Sequence, residues 1–125
     1  MHRTNCKSKN AIYLGMCIKC NQHQYVGKVE KQQMNRRVNK HRNDVRRPDG
    51  ISIDKHFDDP EHDFNRDFRV IVIEEIKKKD LSDEQMRDLL LHREDFWIRK
   101  LGTLHPEGFN DKLNFPGENP WTTTQ

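Results

Sequence analysis

An α+β fold is what this sequence predicts, a small antiparallel three-stranded sheet flanked by helices, and three observations carry that reading. Two short strand-like runs, residues 11–16 and 24–29, stand close enough together to form a hairpin. A third run, Phe68-Arg69-Val70-Ile71-Val72-Ile73, is β-branched and nearly continuous, which suits a strand covered on both faces. Two longer stretches, about 31–46 and 83–100, repeat apolar residues at helical spacing.

Each element has its local cause. The hairpin turns around Cys17-Ile18-Lys19-Cys20, and the helix that follows runs until Arg47-Pro48-Asp49-Gly50 stops it. A loop with one short helix is expected next. Ser82 with Gln85 three residues on is a capping box that opens the second long helix. The expected organisation is an N-terminal extension over 1–10, one folded domain over 11–112 and an irregular tail over 113–125, with no internal repeat.

With 32% hydrophobic against 34% charged residues, the core is small for 125 residues and an added stabilising device is expected. The longest apolar run, Val70 to Ile73, is far short of the roughly 20 residues of a membrane span, and the N-terminus lacks the apolar stretch of a secretory signal. A soluble, intracellular protein without a membrane partner is expected. Of three cysteines, two form Cys17-x2-Cys20, which in a reducing compartment reads as a metal-ligand pair.

Charge is strongly divided. The first 47 residues hold 12 Lys/Arg against only Glu30 and Asp44, and the rest hold 11 against 18 Asp/Glu. Many of the cations (Arg36, Arg37, Lys40, Arg42, Arg46, Arg47) fall on the first helix, where a solvated face would usually mix signs. That bias points to a polyanion such as DNA, with Lys28, Arg36, Lys40, Arg42 and Arg46 as phosphate contacts.

Periodicity then singles out two polar residues. Met34, Val38 and Val45 share a stripe that contains His41, with Arg37 at its edge; a packed core histidine is the alternative for His41 alone. On the second helix Met86, Leu89, Leu90, Trp97 and Leu101 mark the buried arc, Glu94 lies within it, and Asp95 is expected on the solvated side. A carboxylate so placed must be paired, for instance with Arg37, or bind a metal. Tyr13 and Tyr25 sit on the two hairpin strands. Strand tyrosines commonly pack, but Tyr13 shares its face with Ala11 and Gly15, so open space around its ring is expected. Together these residues supply a phenolic proton acceptor, a cation, a histidine and a metal-binding carboxylate, the parts needed to cut a phosphodiester.

The residues resemble a known family, the GIY-YIG endonucleases. Ala11-Ile12-Tyr13 stands where the family has Gly-Ile-Tyr, and Tyr25-Val26-Gly27 stands for Tyr-Ile-Gly with eleven residues between the tyrosines. Arg37-Val38-Asn39-Lys40-His41 is similar to its Arg-x-x-x-His, Arg93-Glu94-Asp95-Phe96-Trp97-Ile98 to its metal-binding glutamate segment, and Gly108-Phe109-Asn110 to its closing Gly-x-Asn. Ala11 departs from the first glycine. The resemblance implies a nuclease in which Tyr13 takes a proton from water, His41 positions that water or receives the proton, and Arg37 stabilises the phosphate. It further implies that Glu94 holds one Mg2+ or Mn2+ ion and that Tyr25 completes the pocket, with Asn110 in the site or bracing it.

Cys17 and Cys20 between the tyrosine motifs, followed by His56 and His62, are similar to the Cys-Cys-His-His element of Penelope-like retroelements, whose endonuclease domain follows a reverse transcriptase. Four such ligands suit a closed, structural Zn2+ site. Sites recruiting Cys6, His2 or His23, or no metal, remain alternatives. The expected activity is nicking of target DNA for insertion, with a nuclear location. An inactive nucleic-acid-binding module and a free-standing homing or repair nuclease are the alternative readings.

Overall fold

The computed structural model describes residues 9–20, 24–31, 33–45, 47 and 51–117. Strands β1 (Asn10–Cys17) and β2 (Gln24–Glu30) form the hairpin, followed by helices α1 (Met34–Asp44), α2 (Ser52–His56) and α3 (Phe64–Asp67), strand β3 (Phe68–Glu75) and helix α4 (Asp83–Leu101). The sheet has the order β2-β1-β3, antiparallel throughout. The α+β class and three-stranded sheet are therefore as expected, with two short helices after α1 where one was expected.

Alternation along β1 divides the core into two layers. Tyr13 and Cys17 pack with Val29, Met34, Ile53, Phe57, Phe68 and Val70 on the side covered by α1, α2 and α3. Ile12 and Leu14 pack with Val26, Met86, Leu90 and Ile98 under α4. The strand covered on both faces is β1, whereas β3 is an edge strand with Ile71 40% exposed, a correction to the expectation from its unbroken apolar run. A continuous β-branched run reports tolerance for burial, but the neighbour order decides which strand receives it.

Helix α4 starts at the Ser82–Gln85 capping box with both reciprocal bonds formed, and ends at Gly102, which takes the left-handed conformation at φ 67° and donates its N–H to the Ile98 carbonyl. Two expectations on this helix need correction. Leu101, the last residue of the helix, is 39% exposed. Asp95 is buried: the backbone N–H groups of Asn114 and Phe115 donate to its two carboxylate oxygens at 2.8 Å, so the chain after α4 folds back over a face that would otherwise be solvated.

The open space expected around Tyr13 is also filled. Phe68 and Ile53 occupy the ground over Gly15, and the Tyr13 ring is wholly buried. Across the hairpin Tyr13 faces Gly27, where a Cβ would fall inside contact distance of the Tyr13 ring and hydroxyl. The glycine is what lets the ring lie flat across β2. Among the described residues no helix is long and apolar enough to cross a membrane. Gly27→Ala should overpack this contact and lower stability by about 1–3 kcal/mol in denaturant unfolding; an unchanged midpoint would show that the ring can move aside.

Candidate active site and metal cluster

The central strand and α1 meet around a row of polar groups in the interior. The Tyr13 hydroxyl lies 2.7 Å from His41 Nε2 and accepts a 3.0 Å bond from Arg37 Nε. His41 is fully buried, with its Nδ1 2.6 Å from Oδ1 of the equally buried Asp54 on α2. Arg37 can only donate to the Tyr13 oxygen and a carboxylate can only accept, while the bonds of His41 to Tyr13 and Asp54 take their direction from its tautomer.

Burial sets the protonation of these groups. It holds the Tyr13 phenol well above its ordinary value, with Tyr25 adding to the effect and Arg37 opposing it. The Tyr25 phenol is pushed up to about 12, chiefly by burial and against the pull of Arg37. Burial lowers His41, outweighing the hydrogen bond to Asp54, so the imidazole is neutral at pH 7. Burial also raises Glu94, against the hydrogen bond from Asn114 and the charges of Lys28 and Arg37.

Arg37 links this interior row to an open cleft of about 430 Å3 lined by Tyr25, Lys28 and Glu30 of edge strand β2, Arg37 and Lys40 of α1, and Glu94 of α4. The Glu94 carboxylate accepts a 2.8 Å bond from Asn114 Nδ2, and among the described residues no ion pair joins it to Arg37. A larger depression of about 710 Å3 lies by Arg42, Phe57, His62 and Phe64, but its acids Asp58, Asp59 and Asp63 are exposed and no tyrosine enters it.

The other expected site residues fall into place around this cleft or away from it. Asn110 is buried behind β2, where it accepts from the Val26 N–H at 2.8 Å and donates to the Val26 carbonyl at 2.9 Å, beside Tyr25. Thr103 Oγ1 donates to the same Asn110 oxygen. Arg36 is exposed and outside the cleft lining, and Arg42 points to the far side of α1, bonding Asn65 with its guanidinium over Phe64. Lys40 pairs with Asp44 and Lys28 with Glu30. Arg46, and with it Cys6, His2 and His23, lies outside the described residues.

Asp54 and Asn114 went unread in the sequence. Asp54 follows an apolar residue in an acid-rich loop and resembles any solvated acid there; only its i+1 relation to Ile53, which enters the core, hints at burial.

Cys17, Cys20, His56 and His62 converge with all four ligand atoms within 4.8 Å of one another. Cys20 Sγ lies 3.4 Å from His56 Nε2 and 3.2 Å from His62 Nε2. A tetrahedral zinc with Zn–S near 2.3 Å and Zn–N near 2.0 Å has ligand–ligand edges of about 3.3–3.8 Å, close to the two Cys20–His distances, so this cluster could hold such an ion. Its ligands come from the end of β1, the hairpin turn, the end of α2 and the loop before α3.

The architecture matches a known one. The structure of the catalytic domain of the homing endonuclease I-TevI aligns with 83% of this chain and 99% of its own length, at a TM-score of 0.59 and 24% identity. The chain has the fold of that domain. It is also the fold implied by the resemblance to GIY-YIG endonucleases. No protein-family model and no curated protein matches the sequence.

The lowered His41 gives a pH test of the buried row. The unfolded chain, with histidine near about 6.5, binds the proton more readily than the folded one, so His41 costs stability as pH falls below that value. Between pH 7.5 and 5.5 the wild-type melting temperature should fall more steeply than that of His41→Gln. Parallel profiles would mean that His41 titrates normally.

Proposed function

We propose that this chain is a divalent-metal-dependent DNA endonuclease that hydrolyses phosphodiester bonds. The observation that carries the reading is the convergence on one open cleft of Arg37, Lys28, Lys40, Tyr25 and the half-buried Glu94, with Tyr13 and His41 directly behind Arg37. The shared fold with a homing-endonuclease catalytic domain supports it. Cations that could grip a phosphate and a carboxylate that could hold a hard cation line the same cleft, the parts that stabilise developing charge in phosphoryl transfer.

In this reading Arg37 and Lys28 bind the scissile phosphate. A phosphate in the cleft draws the Arg37 guanidinium toward it, uncovering the Tyr13 oxygen that Arg37 Nε otherwise caps. Tyr13 then accepts the proton of the attacking water. A free tyrosinate is out of reach at pH 7 for a buried phenol, so that step needs the acceptor that His41 Nε2 provides. Tyr25 forms the wall of the pocket, and Asn110 holds the strand that carries it. One carboxylate with substrate oxygens and water suits Mg2+ or Mn2+, which bound at Glu94 would stabilise charge on the leaving 3′ oxygen.

The Cys17, Cys20, His56 and His62 cluster favours the zinc-bearing, retroelement branch of this fold, in which the domain nicks target DNA alongside a reverse transcriptase in the nucleus. The retroelement reading rests on those four residues and on no other feature of the chain.

Two experiments test the assignment. Plasmid nicking should require Mg2+ or Mn2+, and Glu94→Gln should lower it roughly 1000-fold, the loss expected for about 4 kcal/mol of transition-state stabilisation, while DNA binding persists. Full nicking by that variant would remove Glu94 from the site. The purified protein should carry one zinc per chain by elemental analysis, and Cys20→Ser should lose the zinc and melt at a lower temperature, with activity falling only as far as folding does. A zinc-free, fully active wild type would end the retroelement assignment.

A further inference from the structure

The Asp54–His41 contact lies outside every role given so far. We infer that Asp54 is a positioning residue of the active site: its carboxylate holds His41 in the Nδ1–H form, so that Nε2 is bare and is the acceptor for the Tyr13 proton. The inference rests on the nuclease reading for its consequence in catalysis, and on geometry alone for the His41 tautomer.

Asp54 Oδ1 is 2.6 Å from His41 Nδ1, and Arg37 Nε is 3.0 Å from the Tyr13 oxygen. Were the proton on Nε2, it would donate to the Tyr13 oxygen, and the Tyr13 O–H would be left facing Arg37, which has no acceptor. Nδ1 and the Asp54 oxygen would then face each other as two acceptors 2.6 Å apart in a dry interior. That costs two buried bonds, about 1–3 kcal/mol each. Asp54 and Arg37 therefore fix the row from both ends, and the same polarity recurs wherever an acid orients a histidine that serves an hydroxyl.

The other groups around His41 leave this arrangement unopposed. The Tyr13 and Tyr25 rings stand edge-on at 5.9 Å and Phe68 at 5.5 Å between centroids. Arg37 and Asp44 act on it only through their charge, with opposite signs.

An O–H bond of the attacking water breaks and its proton joins the Tyr13 oxygen, while the Tyr13 O–H breaks and its proton joins His41 Nε2. The hydroxide adds to phosphorus, and the 3′ oxygen leaves with the bonding pair and is protonated from solvent. The imidazolium sits against the Asp54 carboxylate until its proton returns through Tyr13 to solvent. Removing the carboxylate leaves that cation in an apolar interior with Arg37 near it, so the variant loses rate more than DNA affinity.

The test has two arms. Long-range 1H–15N correlation on the zinc-loaded wild type, without DNA, should show His41 protonated on Nδ1 and bare on Nε2. Protonation on Nε2 overturns the proposal, whether or not the protein nicks DNA. In the second arm, Asp54→Asn should lower kcat for plasmid nicking by about 100-fold or more with KM within a factor of two. Because Asp54 is two residues from His56, zinc content is measured on each variant. Asp54→Glu, which keeps the carboxylate, should recover part of the rate and retain the Nδ1–H form even if Asp54→Asn folds poorly. Full kcat in Asp54→Asn overturns the proposal. A wild type that nicks nothing overturns the nuclease reading, and the tautomer arm still decides the role of Asp54.

Discussion

A polar row buried in an apolar layer constrains the rest of this molecule. His41 and Tyr13 have no exposure and Asp54 almost none, yet they sit among Ile53, Phe57, Phe68 and Met34. Each donor and acceptor there must be matched or the fold loses about 1–3 kcal/mol per orphan. The row draws on the hairpin register that sets Tyr13 against Gly27, on the face of α1 that turns His41 inward, and on α2, an element of five residues that brings Asp54 to it. Helices that short have no stability of their own. What keeps α2 helical is what it touches.

Much of this was legible because period and spacing are local properties. The stripe through Met34, Val38, His41 and Val45 gave the inward face of α1, and Ser82 with Gln85 gave the start of α4. The Cys17, Cys20, His56 and His62 set was legible from ligand types and spacing, and the chain brings the four together. What failed had a common cause: a helical wheel or an alternating strand tells which residues share a face, not what covers it. Asp95 lies opposite the main apolar arc, and the covering came from a segment nearly twenty residues away. Tyr13 shares its face with small residues, and Phe68 and Ile53 from distant elements fill the gap. Asp54 was hidden for the same reason, since its partner is His41 and not a neighbour in sequence.

The adjacent acids Glu94 and Asp95 show how one helix position can be divided between two tasks. Asp95 takes the backbone N–H groups of Asn114 and Phe115, and the Asn114 side chain that this anchors reaches Glu94. Phe115 stacks on His92 at 4.1 Å and its carbonyl receives Arg99 Nη2, so the same segment is pinned to α4 at three levels. Glu94 thus faces the cleft from a helix whose outer surface is braced, and the same cleft is lined by the long side chains of Lys28 and Lys40.

Helix α2 sends three of its five residues to three separate partners: Ile53 into the core, Asp54 to His41, and His56 to the cysteines. A residue inserted ahead of Ile51 leaves in place the packing of Ile51 on the core and the bond its carbonyl accepts from the Lys55 N–H, and lengthening a connection costs little entropy. The same residue inserted after Asp54 would turn His56 by about 100° away from Cys20 while Asp54 stayed in place. The segment is thus tolerant of length on one side of a single turn and intolerant on the other. Chains sharing this site are expected to vary in loop length up to Ile51 and to keep the spacing from Ile53 to His56 fixed.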